Sequence, residues 1–87
     1  MPTVHIPAAM RSLTGGEAQV VAPGATLGEL IDHLDAAHPG LKSRLIEGER
    51  IRPGLAVFAD GVNVPSRLGT KIAESAEIYF VPAVAGG

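Results

Sequence analysis

One segment of this sequence has the apolar period of an α-helix, and segments that alternate like β-strands lie on both sides of it. The apolar residues of this segment recur at i, i+3, i+4 and i+7, and they are Leu27, Leu30, Ile31 and Leu34. A helix with one apolar stripe must bury that stripe against another element, and here the other elements are strands. The sequence therefore predicts a two-layer α+β domain, with one main helix across one face of a sheet.

The ends of this helix are marked by residues with defined local chemistry. Thr26 and Glu29 fit a capping box, in which each side chain satisfies a free backbone amide at the helix start. Pro39 and Gly40 end the helix, because the residue before a proline is biased away from helical backbone angles. Residues 41–46 are expected to add a short turn.

Strand patterns and turn signals fill the rest of the chain. The predicted strands are residues 3–6, 18–22, 55–59, 62–64 and 78–81. Gly15-Gly16 predicts a turn within a long connection between the first two strands. Asp60-Gly61 is a strong hairpin signal, because both turn positions favour a positive φ. The last strand is apolar at every position, which is typical of the centre of a sheet.

This order of elements describes one known arrangement. A hairpin, a crossing helix and a central last strand together indicate a β-grasp, ubiquitin-like fold with a mixed sheet of four to five strands. Eighty-seven residues suffice for one domain. We expect the β-grasp domain to span residues 1–82 and a flexible C-terminal diglycine tail to span residues 83–87.

Composition excludes several classes of function. The chain has no cysteine, which excludes disulfides, cysteine-ligated zinc and thiol nucleophiles. The net charge is −2 and no long basic run occurs, so a nucleic-acid partner is not expected. No apolar stretch reaches the ~18 residues of a membrane span, and no signal peptide is recognisable, so we expect a cytoplasmic protein that is a monomer when free.

The residues after the last strand form an unusual terminus. Pro82 interrupts the ladder, and five small residues follow it: Ala83, Val84, Ala85, Gly86 and Gly87. Extended, they reach about 17 Å, and the two glycines allow a narrow channel to close around the backbone. The Gly87 carboxylate is then the one functional group at the tip. A carboxylate becomes reactive only after activation, for instance adenylation with ATP, so this pattern predicts a carrier that presents its own C-terminus.

The last strand also predicts a docking surface beside this tail. Alternation separates Ile78 and Phe80, which are expected in the core, from Tyr79 and Val81, which are expected on the open face. Tyr79 and Val81, together with Pro82 and the tail, are the predicted partner-binding residues. The alternative is that all four strand residues are covered. Four cations could form a rim that steers acidic partners, and they are Arg50, Arg52, Arg67 and Lys71.

Other polar residues do not combine into an active site. His33 and His38 lie about 140° apart on a helix, so a metal site is not predicted. Asp32 and Asp35 are expected on a solvated face, and His5 on the surface or packed in its strand. The serines lack the context of a nucleophile elbow, so we expect a protein that partner enzymes act on and not an enzyme.

Over nearly its whole length the chain resembles the ubiquitin-like sulfur-carrier family, which includes the small subunit of molybdopterin synthase and the thiamin-pathway carrier. The resembling segments are Ile6-Pro7, LTGG at 13–16, TLGELIDHL at 26–34, PGLKSRL at 39–45, Asp60-Gly61 and PAVAGG at 82–87. The LTGG and PAVAGG elements most resemble the branch that donates sulfur for cysteine synthesis.

The resemblance implies a sequence of partner reactions on Gly87. An E1-like adenylating enzyme would use ATP to adenylate the carboxylate, and a sulfur donor would convert it to a thiocarboxylate; no cofactor would be bound by the carrier itself. In the cysteine branch the acceptor would be an activated serine on a PLP-dependent cysteine synthase, and a metalloprotease would release the product. Two alternatives stay open, a molybdopterin synthase small subunit and a ubiquitin-like modifier joined to lysines.

Overall fold

The last strand of the chain lies in the middle of the sheet. The computed structural model describes residues 1–82. Its strands are β1 (Thr3–His5), β2 (Gln19–Val21), β3 (Ile46–Glu47), β4 (Arg50–Ile51), β5 (Leu55–Ala59), β6 (Val62–Val64) and β7 (Glu77–Pro82). Its helices are α1 (Leu27–Ala37) and α2 (Leu41–Leu45), with a 3₁₀ segment at Ala8–Thr14.

Five strands form one mixed sheet in the order β2-β1-β7-β5-β6. β7 pairs parallel with β1 and antiparallel with β5, so it is hydrogen-bonded on both sides. β1 and β2, and likewise β5 and β6, are antiparallel neighbours. The predicted β-grasp fold, with its mixed sheet and its central last strand, is confirmed.

The core lies between α1 and the inner face of this sheet. All four residues of the α1 stripe are at most 1% exposed. They belong to one apolar cluster with the inward side chains of the sheet, which include Val4, Val57, Ile78 and Phe80. Burying a Leu or Ile side chain contributes roughly 1.5–3 kcal/mol, so this contact is the main source of stability.

The start of α1 is fixed by its cap and by a later segment of the chain. The Thr26 hydroxyl accepts a hydrogen bond from the Glu29 amide at 3.2 Å, as predicted. The Glu29 carboxylate accepts from the Ala25 amide at 3.1 Å, one residue before the position that a capping box would use. The amide of Gly28 donates to the Leu68 carbonyl at 2.8 Å, and a Cβ on Gly28 would lie 3.1 Å from Leu68. Glycine therefore allows this segment to pass close to the helix.

Three features differ from the sequence prediction. The connection after β1 contains the 3₁₀ segment, which ends at Gly15 with a φ of 65°. The pair of β3 and β4, joined through Gly48, was not predicted. β7 includes Pro82, which pairs with Leu55, so the prediction that the strand ends at residue 81 is wrong by one residue. A proline is tolerated there because it is the last strand residue, where few ladder bonds remain to be lost.

The predicted hairpin after β5 is confirmed. Asp60 has a φ of 51° and Gly61 a φ of 83°, as a turn with two left-handed positions requires. The Asp60 side chain also accepts the Glu77 amide at 2.9 Å, which attaches the turn to the start of β7.

Candidate functional site

The two faces of β7 have different surroundings. Ile78 and Phe80 are 0% and 4% exposed, whereas Tyr79 and Val81 are 43% and 40% exposed. The predicted division of this strand is confirmed, and the alternative that all four residues are covered is wrong. We call the side of the sheet that carries Tyr79 and Val81 the open face.

The strand register aligns one residue from every strand of the sheet across the open face. Across the sheet this row consists of Gln19, His5, Tyr79, Phe58 and Asn63. Its centre is aromatic and its ends are amides. A central aromatic anchor within a polar rim is the arrangement that protein interfaces commonly use for their strongest contacts.

His5 holds a fixed position in this row. Its ring stacks on Tyr79 with centroids 3.9 Å apart and planes within 4° of parallel. Its Nε2 lies 2.6 Å from Oε1 of Glu77, and the imidazole N–H donates to that carboxylate. The sequence predicts His5 only as a surface or packed residue of its strand. Its partners are 72 and 74 positions away along the chain, so only the parallel register of β1 and β7 reveals this cluster.

The end of β7 marks where the predicted tail begins. Tyr79, Val81 and Pro82 lie in the last four residues of β7, and all three are exposed. The remaining predicted site residues lie outside the described residues, and these are Ala83, Val84, Ala85, Gly86 and Gly87. Their roles and the boundary between domain and tail stay predictions.

The predicted cationic rim is only partly assembled. Arg50 and Arg67 face each other in one backbone bridge, whereas Lys71 pairs with Thr26 in another. Arg52 is engaged locally, because it donates to the Glu47 carboxylate at 3.3 Å and to the Ser43 carbonyl at 3.0 Å.

The carboxylates of α1 have structural partners. Asp35 accepts the backbone amides of Gly40 and Lys42 at 3.1 and 3.0 Å, so it holds α2 against the end of α1. Asp32 accepts from the Lys42 ammonium at 2.8 Å, and this hydrogen bond, with the opposite charge, raises the pKa of Lys42 above its ordinary value. Asp35 therefore does more than the solvated surface role expected for it.

Within residues 1–82, no group of three or more histidine, aspartate or glutamate side chains is placed to hold a metal ion. Among the same residues, no helix has the length and apolar character that a membrane crossing requires.

Comparisons with known proteins agree with this geometry. A model of the ThiS family matches residues 4–87. The sulfur carrier protein CysO of Mycobacterium bovis is 37% identical over 92 residues, which cover 98% of this chain and 97% of that protein. A chain of the solved BexX/CysO complex of Amycolatopsis orientalis superposes with a TM-score of 0.91 at 36% identity, with 100% of both chains covered. The crystal structure of Mycobacterium tuberculosis CysO, described as an antigen, superposes with a TM-score of 0.88 at 30% identity, covering 97% of this chain and 100% of that one.

Proposed function

This chain belongs to the ThiS family, and from that premise we propose that it is a sulfur carrier protein that supplies sulfur for cysteine biosynthesis. The observation that carries the proposal is the similarity to a named sulfur carrier over almost the full length of both chains. The family match also continues to residue 87, so it includes the terminal diglycine. The proteins with this name are carriers and not enzymes, and this chain is a protein cosubstrate of the same kind.

The proposed chemistry takes place on the Gly87 carboxylate. A carboxylate oxygen attacks the α-phosphorus of ATP in an E1-like adenylating enzyme, which releases pyrophosphate and leaves an acyl-adenylate. A sulfide equivalent then attacks the carbonyl carbon, AMP leaves with the C–O bond electrons, and a thiocarboxylate remains. Because a carboxylate is a poor electrophile, ATP supplies the leaving group that this substitution needs. The absence of cysteine from the chain is consistent with sulfur that enters at this one position.

The thiocarboxylate is a nucleophile, and it needs an electrophilic acceptor on a second enzyme. For cysteine synthesis that acceptor is an activated serine on a PLP-dependent synthase. The product would then be released from the carrier by a metalloprotease. The synthase and the metalloprotease are part of the proposal. We also propose that the free carrier is a monomer and that it works in the cytoplasm, where ATP is supplied.

The fold supports this role through the position of β7. The strand before the tail is paired with β5 as far as Pro82 and with β1 as far as Tyr79, so the predicted tail follows a strand that is anchored in the sheet. The exposed residues Tyr79 and Val81 lie beside this start, where an enzyme that holds Gly87 must approach the domain.

The test is a mass measurement on the intact protein. The full chain is incubated with the adenylating enzyme encoded in the same genome, ATP and sulfide, and we expect a mass gain equal to the exchange of one oxygen for one sulfur. A variant that lacks Gly86 and Gly87 should show no gain and the same thermal unfolding. An unchanged mass of the complete chain would contradict the proposal.

A second experiment separates the carrier from the two alternatives. Glycine remnants of the tail on lysines in a cell digest would indicate a protein modifier. A large subunit that copurifies in a stable complex would indicate a molybdopterin synthase. Labelled sulfur recovered in cysteine, with neither of those results, supports the carrier.

A further inference from the structure

A depression of about 350 Å³ opens on the open face beside the end of β7. Its polar lining comes from four elements, β1, the 3₁₀ segment, β2 and β7, and consists of His5, Arg11, Gln19 and Tyr79. Ile6 and Pro7, which follow β1, form part of its apolar lining. The sequence analysis predicts a partner-binding role for Tyr79, but it assigns no role to Arg11 or Gln19 and no ligand to this depression.

Arg11 is positioned by the backbone and not by a neighbouring acid. Its Nε–H donates to the Ile6 carbonyl at 3.1 Å, which holds the planar guanidinium at the wall of the depression. Within residues 1–82 this is the one hydrogen bond that its side chain makes. Arginine has five N–H donors in a fixed fork, so a pair of donors is left for a planar acceptor.

Among the residues that line the depression, Arg11 is the cation, because the His5 ring is already hydrogen-bonded to Glu77. The Nε2 of His5 is occupied by Glu77, which lies at the start of β7. Asp60 lies at that same end, where its carboxylate accepts the Glu77 amide. Glu77 and Asp60 are therefore at the start of the central strand, away from the Arg11 guanidinium, and Glu17 is not among the residues that line the depression.

The length of the tail decides which partner can reach this site. Residues 83–87 span at most about 17 Å from Pro82, so an enzyme that binds the Gly87 carboxylate comes close to the end of β7, where the open face carries Tyr79 and Val81. A carboxylate is the side chain that fits an arginine fork, and aromatic rings beside it exclude water.

We infer that the depression lined by Arg11, His5, Gln19 and Tyr79 receives an acidic side chain of the adenylating enzyme. This inference rests on the proposed function and names the contact by which that enzyme recognises the body of the carrier. The stack of His5 on Tyr79 forms one wall, and Arg11 supplies the charge.

The first test compares two exposed arginines by their effect on adenylation kinetics. Arg11→Gln should raise the KM for the carrier about tenfold with kcat retained, because removing one member of a charged contact weakens association. Arg44→Gln, which removes the same charge from α2, should change the KM less than about twofold. Arg11→Lys keeps the charge without the fork, so it should fall between wild type and Arg11→Gln.

A second pair of variants leaves the hydrogen bond from Arg11 to the Ile6 carbonyl unchanged. Gln19→Glu adds a carboxylate to the depression, whereas Val21→Glu adds one two residues along the same exposed strand. Gln19 lines the depression and Val21 does not. We expect a KM several times higher for Gln19→Glu than for Val21→Glu, and a difference that shrinks as salt is added.

The outcomes distinguish the inference from the proposed function. If the wild-type chain is never adenylated, the proposed function fails. If the wild type is adenylated and Arg11→Gln has the KM of Arg44→Gln, or loses kcat at constant KM, the assigned contact is wrong while the carrier role stands. Equal KM values for the two glutamate variants would also overturn the contact.

Discussion

The covered face and the open face of the sheet use neighbouring residues of one strand for different purposes. Ile78 and Phe80 pack under α1, and their loss removes core contacts. Tyr79 lies between them in sequence, yet it contacts His5 on the opposite side of the sheet. Stability and recognition can therefore be changed separately, one residue apart, because the side chains of a strand alternate between faces.

The largest expected effect tests the covered face. Ile78→Ala should lower the free energy of unfolding by about 2–5 kcal/mol, because it leaves a cavity under α1. Tyr79→Ala should cost no more than about 1.5 kcal/mol, since it removes one aromatic stack at a half-exposed site. Urea unfolding of both variants measures the difference. Equal losses would show that the open face also carries the stability of the fold.

The next comparison measures recognition instead of stability at the same two positions, 78 and 79. Tyr79→Ala should raise the KM for the carrier in adenylation roughly tenfold, because a central aromatic anchor is removed from the proposed interface. Ile78→Val, which costs about 0.5–1.5 kcal/mol of stability, should leave that KM unchanged. A higher KM for the buried variant would indicate that recognition depends on the packing of the whole sheet.

A smaller effect is expected where α1 begins. Thr26→Ala removes the oxygen that accepts the Glu29 amide, so it should lower the free energy of unfolding by about 1 kcal/mol. Thr26→Ser keeps the hydroxyl and serves as the matched control. Neither variant should change the KM, since the cap supports only the covered face; thermal unfolding and adenylation kinetics check the two halves of this prediction.

The smallest effect concerns the ion pair of Lys42 with Asp32 on the surface. Asp32 raises the pKa of Lys42 in the folded chain, so the pair stabilises the fold at neutral pH and this contribution is lost as the pH rises through that raised value. Asp32→Asn should therefore lower the unfolding temperature slightly at neutral pH, and the difference should vanish in strong alkali. High salt should remove most of it at any pH, because both groups are exposed. A difference that grew with pH would contradict the assignment.

Local chemistry made much of the fold predictable. The stripe of α1 identified the covering helix, and β5 has the predicted bounds, Leu55–Ala59. Asp60-Gly61 defined its turn because few residues tolerate two positive φ angles. The 3₁₀ segment and the short β3–β4 pair were missed, since segments of this length lack a readable apolar period.

The site was predictable only in part, for a different reason. The exposure of Tyr79 and Val81 follows from alternation within one strand, which a sequence shows directly. The contacts of His5 with Glu77 and Tyr79 depend on which strands become neighbours, and that information is not local. The position of Arg11 depends likewise on the 3₁₀ segment that follows β1.

The double pairing of β7 has a mechanical consequence. A force applied along β7 from Pro82 loads its hydrogen bonds in shear, those to β5 between Ile78 and Pro82 and those to β1 between Glu77 and Tyr79. Such a force does not break these hydrogen bonds one after another, as a force perpendicular to the strand would. An unfolding enzyme that pulls on this end must therefore break the bonds of β7 to two neighbouring strands before the rest of the chain unfolds.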